Sequence, residues 1–270
     1  CPPMLDKLLD WAGDHMGRIR LIIEYDGTGY VGWQIQPNGI AVQYVIEREL
    51  NKLTGENCVL HASGRTDSGV HAYAQVAHFD TDSRIPPEKF AYALNAGLPP
   101  DIRIKYSGAS DSGFHSRFDV IRKSYRYSVL NSPHSSAFTR NTALHVHYPL
   151  NTSSLNEAAG LFVGEHDFMA FKSSGSRVDN TVRSIYRSTW RRSGDMLYYE
   201  VTGSGFLYNM VRIMVGTMLE IGMGRYDKGC ITEAFEKLDR SLLGITAPAK
   251  GLALARVEYA DFDTDMAVGK

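Results

Sequence analysis

The stretch Gly64-Arg65-Thr66-Asp67-Ser68-Gly69-Val70-His71 holds the clearest chemistry of the chain. A single carboxylate, Asp67, lies between two glycines, and the donors of Arg65 and Thr66 stand immediately before it. Glycines in such a loop adopt backbone conformations closed to other residues and let a large ligand come close. An ionised carboxylate held there is a nucleophile that works without a metal or redox group. By spacing alone, the loop also suits an ordinary turn in which Asp67 caps its own backbone. A glycosidase would need a second carboxylate as general acid, and Asp26 and Asp80 read better as turn and strand-end residues. His145 and His147 share a strand face but lack a third ligand, and His71 and His78, seven apart, fall on opposite faces of a continuous strand. The thiols Cys1, Cys58 and Cys230 are scattered and odd in number, which argues against a disulfide framework and fits a reducing cytosol.

The elements that must carry this loop are legible from periodicity. Ile19, Leu21, Ile23 and Tyr25 alternate with Arg18, Arg20 and Glu24 as a strand, followed by the turn Asp26-Gly27-Thr28-Gly29. Val42, Val45, Ile46, Leu50 and Leu53 mark a helix closed by Gly55. Strands near 58–62 and 73–80 bracket the Asp67 loop, a helix follows Pro86-Pro87, and a strand runs through Ile102 and Ile104. The order is β-α-β-β-α-β, a ferredoxin-like unit. A strand at 123–130, a helix near 153–163, strands at 182–192 and 196–202, a helix at 206–221 and a strand at 252–259 repeat that order, with a shorter helix near 230–239. The expected fold is α+β: two ferredoxin-like or RRM-like halves forming a broad antiparallel sheet, with helices on one side and a central cleft. The expected divisions are an extension at 1–15, a catalytic half at 16–112, a second half at 113–263 and a tail at 264–270.

Composition narrows the classes. The 270 residues are 43% hydrophobic and 22% charged, with a net charge of -1, so a basic RNA-binding surface must be local. No apolar run nears the roughly 18 residues a membrane helix needs, and the N-terminus has no signal pattern. Leu5, Leu8, Leu9 and Trp11 make residues 1–15 amphipathic, and Met16 reads as a natural start.

Gly64-Arg65-Thr66-Asp67-Ser68-Gly69-Val70-His71-Ala72 resembles the signature of the TruA family of tRNA pseudouridine synthases. Four further segments resemble that family in order: Tyr25-Asp26-Gly27-Thr28 with Gly32-Trp33-Gln34; Phe114-His115-Ser116-Arg117-Phe118; Lys123-Ser124-Tyr125-Arg126-Tyr127; and Gly205 through Arg212. Gly251-Leu252 stands where the family has a pair lining the uracil pocket. The resemblance spans roughly residues 18–260. It implies Asp67 as nucleophile, Tyr125 and Arg212 as its companions, no cofactor and no metal. It also implies a cytoplasmic homodimer acting on tRNA positions 38 to 40, in the anticodon stem-loop. Ser68 and Tyr208 depart from residues common in the family, in places that bear on substrate preference.

The residue types suit the implied roles. Arg212 lies on an apolar helix and needs a partner, and a guanidinium fork keeps a carboxylate ionised against desolvation. Alternation puts Tyr125, Tyr127 and Val129 on one strand face and Ser124 and Arg126 on the other, without choosing between the tyrosines. Arg117, Arg122, Lys123 and Arg126 form one basic group near the junction; Arg183, Arg187, Arg191 and Arg192 form another, the three odd-numbered ones sharing a face. Arg65, Leu252, Arg117, Arg126, Lys123 and Gln34 are the expected substrate contacts, and Trp33 serves either an RNA-facing loop or a small core.

Overall fold

The structure is a computed structural model and describes residues 17–173, 175 and 179–269. The extension read at 1–15 and the start read at Met16 lie outside the described residues. The first unit comprises β1 (Gly17–Tyr25), α1 (Val42–Thr54), β2 (His61–Ala62), β3 (His71–Thr81), α2 (Phe90–Gly97) and β4 (Ile102–Ser110). The second runs β5 (Arg122–Asn131), β6 (Leu144–Val146), α3 (Thr152–Gly160), β7 (Gly164–Asp167), β8 (Val182–Ser193), β9 (Met196–Gly203), α4 (Met210–Gly222), α5 (Gly229–Lys237) and β10 (Leu252–Glu258), and α6 (Thr264–Ala267) follows.

One sheet joins them in the order β4-β1-β3-β10-β5-β9-β8-β7. Neighbours within a unit are antiparallel, apart from β6 beside β5. The units meet where β10 runs parallel to β3, and this seam holds only the pairs Ala253↔His71 and Leu254↔Ala72. Beyond it β2 takes over the edge of β3. Paired residues share a face, so Tyr25, Ala72, Leu254, Tyr125 and Val201 form one row across the seam. Helices cover that face. Ile19, Leu21 and Ile23 pack with Val42, Ile46, Leu50, Phe90 and Leu94, while Tyr127, Val129 and Tyr199 pack with Leu155, Ile213 and Met214. The two cores interlock, since Leu254 and Val257 join the first and Val70 joins the second.

Within β1, Arg20 is buried because Phe114 and Phe262 cover it, their ring centroids 4.0 and 4.2 Å from its guanidinium. Three readings change. A bulge in β3, where Ile23 faces Gln75 but Tyr25 faces Ala72, adds one residue and puts His71 and His78 on the same face. A bulge between Ile185 and Arg187 likewise separates Arg183 from Arg187 and Arg191, which share a face. The helix expected from 206 begins at Met210, because Asn209 is left-handed (φ 61°), so Arg212 sits in its first turn rather than its middle. The strands β6 and β7 are too short to carry a periodic signal.

On the face away from the helices, His78 is buried under the chain crossing from β4 to β5. Its Nδ1 accepts the Ser116 N–H at 3.2 Å and lies 2.5 Å from Ser116 Oγ. His61 stacks against it at 5.1 Å and His115 meets it edge-on at 4.9 Å. Burial, with Arg18 and these histidines nearby, pushes the His78 pKa down to about 4. The unfolded chain takes up this proton near pH ~6.5, so stability is whole above that pH and is lost as pH falls toward the folded value. The expected outcome is that the stability advantage of wild type over His78→Gln, measured by urea unfolding, shrinks by up to about 2 kcal/mol between pH ~7 and ~5.

Candidate active site

The Asp67 loop fills the gap that the short seam leaves beside β3. Ser63 extends the pairing of β2 by donating its N–H to Val76 O at 2.7 Å, and the chain then doubles back into β3. The segment after β1 supports it from outside. Trp33 N–H donates to Thr66 O at 3.1 Å, and Gly69 N–H to Tyr30 O at 3.3 Å. Gly32 is required here, since its φ is +110° and a Cβ would stand 2.6 Å from Thr66 O. Val70 N–H closes the turn on the Asp67 carbonyl at 3.1 Å, so the Gly69 and Val70 amides both bind backbone oxygens and not the carboxylate.

Beneath the loop lies a buried polar network. Tyr25 OH pairs with Thr66 Oγ1 at 2.7 Å, Ser63 Oγ donates to Gln75 Oε1 at 2.6 Å, and Gln75 Nε2 donates to Gly64 O at 2.8 Å. Lys123 reaches over from β5 and donates to Ser63 O. Burial, with the Arg117 charge nearby, pushes its pKa down to about 8.

Arg212 faces Asp67 from the other unit, Nη1 to Oδ2 4.0 Å, with side chains 18% and 26% exposed. A cation in the first turn of a helix opposes the helix dipole, and two acceptors hold it there: Ala247 O at 2.7 Å from Nε and Asn209 Oδ1 at 2.7 Å from Nη1. The left-handed Asn209 is thus part of the aim of Arg212. Ala247 N–H donates in return to Arg212 O at 3.0 Å. The 245–247 chain comes this close because position 216 has no side chain, a Cβ there standing 1.7 Å from Ile245 O. Burial raises the Asp67 pKa, and the Arg212 charge opposes the rise.

Tyr125 lies at the seam against both cores, its ring edge-on to Phe206 at 5.1 Å. Burial, with Tyr25 and Asp67 nearby, raises its pKa. Tyr127, two residues on, is sealed in the second core with its hydroxyl donating to Pro248 O at 2.7 Å, and Leu252 is its partner on β10. Asp67, Arg212 and Tyr125 are therefore brought together. Arg65, Gln34 and Arg117 are exposed. Arg126 is not at the site: it lies on the opposite sheet face, bonded to Glu200 at 2.9 Å. Trp33 is 2% exposed and belongs to the first core. Ser63, Gln75 and Ala247 have no signature by type or spacing, while Tyr25 and Asn209 lie in segments that carry the family resemblance without a role having been read for them. Among the described residues, no group of three His, Cys, Asp or Glu side chains is placed to hold a metal, and no helix is long and apolar enough to cross a membrane.

Comparison with known proteins gives the class. Residues 21–119 and 158–260 match a family described as tRNA pseudouridine synthase, enzymes that isomerise uridine to pseudouridine. The chain belongs to that family. It is 51% identical over 245 residues to tRNA pseudouridine synthase A of Ruminiclostridium cellulolyticum, covering 90% of this chain and 100% of that one. It is 44% identical over 244 residues to the Bacillus subtilis protein of the same name, covering 90% and 99%. Among solved structures, the archaeal box H/ACA Nop10-Cbf5 complex is similar at 11% identity and a TM-score of 0.31, over 74% of this chain and 44% of that chain.

Gly32→Ala is expected to push the Asp67 loop out of place. A displacement near 1 Å costs on the order of 100-fold in rate, so pseudouridine formation should fall at least tenfold, read by tritium release from [5-³H]uridine-labelled tRNA.

Proposed function

We propose that this chain isomerises uridine to pseudouridine in the anticodon stem-loop of tRNA, with Asp67 as nucleophile. The observation that carries this reading is the partly buried Asp67 carboxylate facing the Arg212 guanidinium, with the Tyr125 strand beside it. The reaction breaks the N1–C1′ bond, turns the base, joins C5 to C1′ and transfers one proton overall from C5 to N1. It needs no co-reactant. The charge of Arg212 favours the ionised Asp67 that attack requires, while partial desolvation keeps that carboxylate reactive. Tyr125 is the group to stack on the turning base and help accept the C5 proton. Leu252 lines the base pocket, and the exposed Arg65, Arg117 and Gln34 meet the RNA. A target in a stem must be unpaired and everted, which costs a few kcal/mol, offset by stacking and backbone contacts.

The segments 16–112 and 113–263 act in this reading as two jaws, one carrying Asp67 and the other Arg212 and Tyr125. A cytoplasmic homodimer, with the partner helping to hold the tRNA, belongs to the same proposal. A passive RNA-binding protein built from two RRM-like halves is the rival reading, and it leaves the aimed Asp67–Arg212 pair without a use.

Wild type is expected to release tritium from [5-³H]uridine tRNA. Asp67→Asn should lose on the order of 10⁴-fold in turnover while binding tRNA like wild type, and residual activity within tenfold would overturn the nucleophile assignment. Arg212→Gln removes the charge that restrains the Asp67 pKa. Its carboxylate should then protonate at higher pH, so the acid limb of kcat/KM moves upward. An unmoved limb would separate Arg212 from the ionisation of Asp67.

A further inference from the structure

Lys123 reads in the sequence as one of a basic group turned toward RNA, yet its ammonium points into the protein. It lies on β5, two residues before Tyr125 and on the same sheet face. Its Nζ donates to the carbonyl of Ser63, at the foot of the Asp67 loop. The remaining polar groups of Ser63 are also held, the N–H by Val76 O and Oγ by Gln75, and the next carbonyl, of Gly64, accepts from Gln75 Nε2. Both Ser63 and Gln75 are 0% exposed. Gly64 leaves room for the ammonium, since a Cβ there would stand 2.8 Å from Nζ. Among the described residues, no carboxylate lies within ion-pair distance of Lys123. A partly buried cation without an ion pair is costly; the backbone carbonyl is what it binds.

We propose that Lys123 is a positioning residue: from the tyrosine strand of one unit it grips Ser63 O and so sets the Asp67 loop of the other unit against Tyr125. This rests on the reading of the loop as catalytic. The position of the contact supports it. Only two residue pairs join β3 to β10 at the seam, and the loop begins where that pairing is absent, so its placement against the second unit falls to side-chain ties. The network below, Tyr25 to Thr66 and Gln75 to Gly64, belongs to the first unit alone. Lys123 supplies the tie across the seam at the start of the loop, as Arg212 faces its middle.

The test separates this role from RNA contact. Lys123→Met keeps the unbranched apolar stem and loses the donor, and Lys123→Arg keeps a charged donor. For each full-length variant, tRNA affinity is measured at two salt concentrations, and the single-turnover rate of tritium release is measured at saturating tRNA. Lys123→Met should bind tRNA within about twofold of wild type with the same salt dependence, because no phosphate contact is lost. Its rate at saturation should fall at least tenfold, in line with a misplaced reacting group. Lys123→Arg should recover the rate to within about threefold, since a guanidinium also donates to a carbonyl. Should Lys123→Met fail to fold, Gly64→Ala, which fills the space of the ammonium, should show the same loss of rate at unchanged affinity. Weakened, less salt-sensitive binding with an unchanged saturated rate would overturn the proposal and make Lys123 an RNA contact. Unchanged rate and affinity would overturn it as well. Wild type that binds tRNA without releasing tritium would sink the underlying catalytic reading instead, a result read before any variant is compared.

Discussion

A carboxylate in a partly desolvated cleft favours its neutral form, and the arrangement around Asp67 is organised against that tendency. Burial raises the Asp67 pKa and the Arg212 guanidinium, 4.0 Å away, restrains it. For the restraint to act, two chain segments far apart in sequence must hold their side chains at one place. On the Asp67 side this falls to a glycine that lets the 32–33 chain touch the loop backbone, and to the buried hydrogen bonds of Tyr25, Ser63 and Gln75. On the Arg212 side it falls to a left-handed asparagine and a carbonyl, brought within reach because Gly216 permits the close approach. Each device is backbone-based or buried, which suits a site whose charges must not drift.

The same demand explains why the two units interlock. A sheet joined through only two residue pairs would be a weak hinge if the cores were separate. Instead the last strand of the second unit places Leu254 and Val257 in the first core, and the first unit lends Val70 to the second. The row Tyr25, Ala72, Leu254, Tyr125 and Val201 runs unbroken beneath the site. Apolar burial thus sets the distance between the units, and polar ties set the local pose of the loop.

Much of this was legible beforehand. The alternation of β1, the Gly55 cap of α1 and the order of strands and helices all rest on local chemistry, and the observed elements follow them with shifts of a few residues. The misreadings arise where tertiary context overrides the local pattern. Bulges in β3 and β8 change which residues share a face, and nothing in alternation announces an extra residue. Arg20 is buried only because the chains carrying Phe114 and Phe262 return over it. Lys123 and Arg126 look alike as basic neighbours, yet pleating sends one toward the Asp67 loop and the other to Glu200 on the far side.

The sequence by itself determined the two β-α-β-β-α-β units and marked Asp67 in its glycine-flanked loop, because propensity, periodicity and turn chemistry act over a few residues. The tertiary structure alone decided what Asp67 meets. It brought Arg212 into a first helical turn opposite the carboxylate, kept Tyr125 at the seam while sealing Tyr127 in the core, and turned Lys123 inward. Those outcomes depend on register across a parallel seam and on contacts between segments well separated in sequence, which no local pattern encodes.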